Sequence, residues 1–300
     1  MAEARIPADL FNPGQVFACL GLIEAAEVLL GDAGGAFDWE SAPETTFILR
    51  AAGDEDPLEV VLDFLLQAQV ESLPPHNSAN RTGKWDVPTT VLAPQAPSPA
   101  ADPASPATLP VRLSAHGASL IIDYWMDGLT VSGRDNAKFW AGSGGYPGAA
   151  LLRDALALLR SEPQRVRGEL FDFSTPQSSS FRLDWRRDYV PLDAGFSLNA
   201  HSNIVTVGYP LVEILAAIGL SHARPLRLEN KLNYRYGAPG LPQISQGEAS
   251  PSLYPPMFLR AALGCAGLPF PMRLFRMRLD WPGQEGQARC ITHVYEETEQ

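Results

Sequence analysis

"NPGQVFACLGLIEAAEVLLG" fills residues 12–31, and its reading sets the class of the fold. Asn12 is a good helix N-cap, Pro13 fits the first helical position, and Gln15 sits where a capping box needs it. The run that follows is apolar nearly all round, so the predicted helix is buried on most of its sides and anchors a core. Glu24 and Glu27 interrupt the apolar run, which rules against a membrane span of about 20 uninterrupted apolar residues. The preceding "MAEARIPADLF" has Arg5 as its only base and carries Glu3 and Asp9, unlike the basic leader of a signal peptide. The expectation is a cytoplasmic protein without membrane contact.

Outward from this helix, the chain of 300 residues is 45% hydrophobic and 19% charged, a globular balance. "TTFILRA" (45–51) reads as a strand, and residues 56–70 as a helix capped by Asp56 with Pro57 at its first position. Residues 73–88 form a polar loop, and residues 93–110 carry six prolines, an extended insertion or linker. "VRLSAHG" and "SLIIDYWM" predict a hairpin. Residues 148–161 predict a helix with Leu152, Ala155, Leu156 and Leu159 on one face and Arg153 and Arg160 elsewhere. "VRGELFDFS" (166–174), "SFRLDWRRDY" (180–189), "NKLNYRYG" (230–237) and "MRLFRMRLDW" (272–281) read as strands, the last pairing with "ARCITHVYEE" (288–297). "YPLVEILAAIGL" (209–220) reads as a short buried helix. Helices and strands mix without regular alternation, which predicts an α+β fold: a mainly antiparallel sheet packed with several buried helices. The expected parts are an acidic segment 1–92, the proline-rich insertion 93–110, and an α+β part 111–300 that could share one domain with the first.

Three late strands share a pattern. Period-two alternation sets Phe181, Leu183 and Trp185 against Arg182, Asp184 and Arg186. It sets Leu232, Tyr234 and Tyr236 against Lys231, Asn233 and Arg235. It sets Phe275, Met277, Leu279 and Trp281 against Leu274, Arg276, Arg278 and Asp280. Such polar faces are commonly just the solvent side of an antiparallel sheet. Here they are unusually cationic for a chain of net charge −11. The acidity lies at the two ends: residues 1–75 hold Arg5 and Arg50 as their only bases. Of the basic residues only Lys84, Lys138 and Lys231 are lysine, and arginine's planar fork suits phosphate and base edges. A basic functional surface that neutralises phosphates stands level with the plain solvent face as a reading of this pattern.

"KFWAGSGGYPG" (138–148) is a glycine-rich turn feeding a helix. Backbone N–H groups there could hold an anion, with Arg134 and Lys138 upstream, but neither a P-loop nor a dinucleotide fingerprint is present. Ser143 sits in "AGSGG", an imperfect nucleophile elbow, and Asp193 with His201, His222 or His293 could complete a triad. The run before Ser143 is a poor buried strand and no oxyanion motif precedes it, so a serine hydrolase is the weaker alternative. His76, His116, His201, His222 and His293 are scattered without metal-ligand spacing, and no cofactor is implied. Cys19, Cys265 and Cys290 are odd in number and far apart, which excludes a disulfide framework or zinc ribbon and predicts small buried hydrophobes. Among the aromatics Trp85, Trp125, Trp140, Trp185 and Tyr189, Trp140 near Lys138 and Tyr189 near Arg187 are the base-stacking candidates.

Four blocks, "NPGQVFACLGLIEAAEVLLG" (12–31), "KFWAG" (138–142), "LDAGFSLNAH" (192–201) and "YPLVEILAAIGL" (209–220), resemble the CRISPR-associated proteins of the type I-U systems, also called I-G or Dpsyc. The resemblance covers most of the chain apart from the proline-rich insertion and carries no catalytic signature. It implies a compact, large-subunit-like component of a Cascade surveillance complex. Such a subunit contacts the 5′ end of the guide RNA and the target double-stranded DNA, helps recognise the protospacer-adjacent motif and open the target, and meets other effector subunits and the helicase-nuclease. In such complexes base pairing reads sequence and protein reads shape and the short motif. The expected nucleic-acid-binding residues are Arg134, Lys138, Trp140, Ser143, Gly144, Arg182, Arg186, Arg187, Lys231, Asn233, Arg235, Arg276 and Arg278, with Lys138 supplying charge and Ser143 a hydroxyl at the glycine turn. A scaffold without nucleic-acid contact is the remaining alternative.

Overall fold

The computed structural model describes residues 1–41, 43–74, 76, 86–94, 109–123, 148–177, 179–186, 206–230, 232–242, 252–280 and 290–297. Strand β1 (Ala2–Pro7) leads into helix α1 (Pro13–Leu29), then β2 (Gly34–Asp38), β3 (Thr46–Ala51), α2 (Pro57–Gln67) and β4 (Gln69–Ser72). Next come β5 (Val111–Ala115), β6 (Ala118–Ile122), α3 (Gly148–Ser161), α4 (Pro163–Glu169) and a 3-10 turn over Leu170–Asp172. The remainder is β7 (Thr175–Pro176), β8 (Val207–Gly208), α5 (Pro210–Gly219), β9 (Leu226–Arg227), β10 (Asn233–Pro239), α6 (Pro256–Leu263), β11 (Met272–Asp280) and β12 (Cys290–Glu297). The fold is α+β, with its named strands in four antiparallel sheets ordered β1-β3-β2, β4-β5-β6, β7-β8 and β12-β11-β10-β9.

The helix of residues 12–31 is the centre of the molecule. Every residue from Pro13 to Ala26 is buried, as an all-round apolar helix requires. Asn12 accepts at Oδ1 from the Gly14 N–H at 3.1 Å, the predicted cap. Gln15 does not close the predicted box: its Oε1 accepts from the Asp9 N–H at 2.7 Å, because the Asn12 N–H is already bonded to the Asp9 carbonyl at 3.0 Å. The glutamine therefore ties the chain entering the helix rather than the cap.

The neighbour of α1 is α5, and glycine sets their approach. A Cβ on Gly21 would fall 1.8 Å from the Leu215 carbonyl oxygen, and one on Gly219 would fall 2.2 Å from that of Phe17. Two of the four blocks behind the family resemblance thus form one packed helix pair, and their composition is the signature of a close helix crossing. The other two blocks, 138–142 and 192–201, lie outside the described residues.

One hydrophobic cluster runs from Ala4 to Ile291. The inner face of the four-stranded sheet meets the entrance of α1. Tyr236 donates its hydroxyl hydrogen to the Leu10 carbonyl at 2.7 Å and stacks on Phe275 at 5.3 Å, while Phe11 meets Phe275 edge-on at 5.2 Å. Strand β2 joins this sheet's neighbourhood through bridges from Gly35 to Tyr254 and from Phe37 to Gly240. No helix among the described residues is long and apolar enough to cross a membrane.

Two predicted strands are not strands. Residues 163–169 form α4 and 170–172 a 3-10 turn, so "VRGELFDFS" begins in helix. Pro163 at the first helical position starts it, and Arg165 holds it with bonds of 2.7 Å to Glu162 and 2.8 Å to Glu169. The described part of "SFRLDWRRDY", residues 180–186, is also irregular. Arg182 has φ +64°, which breaks an extended run, and the Leu183 and Asp184 N–H groups donate to the Glu213 carboxylate instead of to a neighbouring strand.

Candidate nucleic-acid interface

The alternation expected of residues 181–186 places Arg182, Asp184 and Arg186 on one polar face, but the segment is not a strand and Asp184 is buried. Asp184 is 1% exposed, over the start of α1, where its Oδ1 accepts from Asn12 Nδ2 at 3.0 Å. Arg186 folds back on it at 2.8 Å, reaches Asp172 Oδ1 at 2.7 Å and the Phe171 carbonyl at 2.6 Å, and lies over the Tyr209 ring at 3.8 Å. Burial pulls the Arg186 pKa down, but the bonds to Asp184 outweigh it and the net direction is up. This cation is committed to a carboxylate inside the protein. Arg182 lies near Cys290, whose thiol burial raises to about 11 against the pull of that guanidinium.

The two remaining strands behave as their alternation predicts. Tyr234, Tyr236, Phe275, Met277 and Leu279 are buried on the inner face. On the outer face the register places Asn233 opposite Arg278 and Arg235 opposite Arg276. Across the next ladder Arg276 faces Tyr295 and Arg278 faces His293. Leu226 on β9 lies opposite Arg235. Two rows therefore cross the sheet: Leu226–Arg235–Arg276–Tyr295, and Asn233–Arg278–His293. Arg278, His293, Tyr295 and Leu226 are exposed.

Carboxylates temper this face unequally. Arg235 Nε is 2.6 Å from Glu297, and Arg276 is 3.5 Å from Glu229, itself 75% exposed. The second pair is a long, solvated contact worth little and readily exchanged. Helix α6 covers the far end of the face, where a Cβ on Gly237 would fall 2.4 Å from the Ala262 carbonyl oxygen. At the end of α6, Cys265 is half-buried; burial pushes its thiol up to about 12 while Arg235 pulls it the other way. Cys19 and Cys290 are buried, as small hydrophobes should be.

Of the predicted binding residues, the structure gathers Asn233, Arg235, Arg276 and Arg278 onto one face, bonds Arg186 to Asp184 and Asp172, and sets Arg182 by Cys290. Arg134, Lys138, Trp140, Ser143, Gly144, Arg187 and Lys231 lie outside the described residues, as do Trp85, Trp125, Tyr189, Asp193 and His201. His293 and Tyr295 were missed as members of this face. The signal was available, because "ITHVYEE" alternates too, but its phase follows from the pairing with β11, which is irregular between Arg278 and Leu279. Among the described residues no group of three or more His, Cys, Asp and Glu side chains converges as a metal ion would need. No family model matches the chain, and neither a curated protein nor a solved structure matches it.

Proposed function

We propose that this chain is a non-catalytic, nucleic-acid-contacting subunit of a type I CRISPR surveillance complex of the I-U/I-G kind, touching guide RNA and target DNA through the outer face of β10, β11 and β12. The observation that carries the proposal is the gathering of Arg235, Arg276 and Arg278 on one sheet face, where Arg278, His293 and Tyr295 are exposed. Arg235 and Arg276 stand directly opposite each other, an arrangement that costs folding energy. A phosphate chain laid over them would offset that cost. The likeness of residues 12–31, 138–142, 192–201 and 209–220 to that family supplies the assembly, and the cytoplasm as its place. Motif recognition, target opening and contact with the helicase-nuclease come with the assembly and belong to the proposal.

The test belongs in the assembled complex, because a net charge of −11 repels nucleic acid from the isolated chain at long range. Arg276→Glu with Arg278→Glu should weaken guide or target binding at least ten-fold and flatten its dependence on salt, by about 0.7–0.9 in log–log slope per lost phosphate contact. Unchanged affinity and slope would leave a scaffold without nucleic-acid contact. The hydrolase alternative has its own readout: a fluorophosphonate probe that labels the protein but not Ser143→Ala.

A further inference from the structure

We infer that the ligand of this sheet face is a single strand rather than a duplex, with Tyr295 stacking on one unpaired base and Arg276 and Arg278 taking the adjoining phosphates. The inference rests on the nucleic-acid reading above and sharpens it.

Tyr295 is 48% exposed on β12, the outer strand of its sheet. Its cross-strand partner is Arg276, so an aromatic face and a guanidinium are nearest neighbours on the surface. Directly opposed side chains on adjacent strands have Cβ atoms about 5 Å apart, and the next row on the same face lies about 7 Å along the strand. That row is Asn233–Arg278–His293. A base on the tyrosine thus has one guanidinium beside it and a second within about one nucleotide's reach. At the far side of the sheet, Leu226, 40% exposed and opposite Arg235, adds an apolar contact for a further base.

Duplex fits this surface badly. The major groove admits a helix or a two-stranded ribbon, and a face spread over four strands is too broad to enter it. A tyrosine on so broad a face meets only sugar and phosphate on a duplex. On a single strand it meets a base, and every base offers a face to stack on. The chemistry of the two rows is therefore spent on a single strand and mostly wasted on a double one.

The test uses the assembled complex with oligonucleotides that do not pair with the guide, at about 50 mM salt, where phosphate contacts are least screened. Fluorescence anisotropy compares short RNA and DNA single strands with the DNA duplex of the same sequence. Single strands should bind at least ten-fold more tightly than duplex. Tyr295→Leu should weaken them about five-fold or more, Tyr295→Phe should restore binding, and a 2-aminopurine base should be quenched by the native protein but not by Tyr295→Leu. Arg278→Ala is the control that weakens any nucleic acid. If single strand and duplex bind alike and only Arg278→Ala weakens them, the single-strand inference is overturned and the broader reading survives. Tighter single-strand binding that ignores Tyr295→Leu overturns the stacking role. If no oligonucleotide binds, both readings fall.

Discussion

Arg186 and Arg278 are the same side chain in opposite circumstances, and they mark two regions built on different principles. Around Arg186, the entrance of α1, the irregular segment 180–186 and the first turn of α5 are joined by carboxylate, guanidinium and amide groups that bond to one another: Asn12 to Asp184, Asp184 to Arg186, and the Leu183 and Asp184 N–H groups to Glu213. Around Arg278, which is exposed opposite Asn233 and His293, the face lies clear of the end that α6 covers; Arg235 and Arg276 oppose one another in register, Glu297 holds Arg235, and the Arg276–Glu229 pair is long and readily exchanged. A cation buried beside a carboxylate serves the fold, because removing either partner strands the other in a poorly solvating interior. A cation held in water beside another cation gives the fold nothing. Counting arginines in the sequence treats the two alike.

The comparison can be broken most forcefully at Asp184. Asp184→Ala should cost about 2–3 kcal/mol, by removing the buried carboxylate that holds Arg186 and accepts from Asn12 while Asp172 and the Phe171 carbonyl keep the guanidinium, as read from urea unfolding. A loss under about 1 kcal/mol would mean that solvent already carries the Arg186 charge. Gly21→Ala comes next. Alanine gains about 1 kcal/mol of helix propensity, but its methyl meets the Leu215 carbonyl, so a net loss of about 2 kcal/mol and a lowered melting temperature are expected. An unchanged melting temperature would show that α1 and α5 can separate without cost. By contrast, Arg276→Ala with Arg278→Ala should move stability by no more than about 0.5 kcal/mol in the same assay. A larger loss would return the sheet face to a structural role.

The smallest expected effect is on pH dependence. Arg273 hydrogen-bonds Glu296 at 2.6 Å, and that bond holds the carboxyl below its ordinary value of 4.5; Arg50 does the same for Glu3. A carboxylate whose pKa is depressed by folding stabilises the protein above about pH 4.5, and that contribution is lost as pH falls through the lower folded value. Glu296→Gln should therefore lower stability slightly at neutral pH, by about 0.5 kcal/mol or less for a partly solvated pair, and leave it unchanged near pH 3. An equal loss at both pH values would assign the effect to packing against Trp39 and Phe275, over which Arg273 also lies.

The sequence alone determined the elements whose signals are local. A capped, all-round apolar helix can only be buried, and from Pro13 to Ala26 it is. Alternation in "NYRY" and "LFRMRLD" determined which side chains face inward, because a strand's two-residue period fixes that whatever the partner. The tertiary structure decided the rest. The same alternation in "FRLDWR" does not produce a strand, since Glu213, 30 residues away from Leu183, offers its backbone a better partner than any neighbouring strand. Register likewise decided which arginines share a face and that Tyr295 joins them, because cross-strand neighbours are set by pairing between segments far apart in the chain, and nothing in either segment alone encodes the other's position.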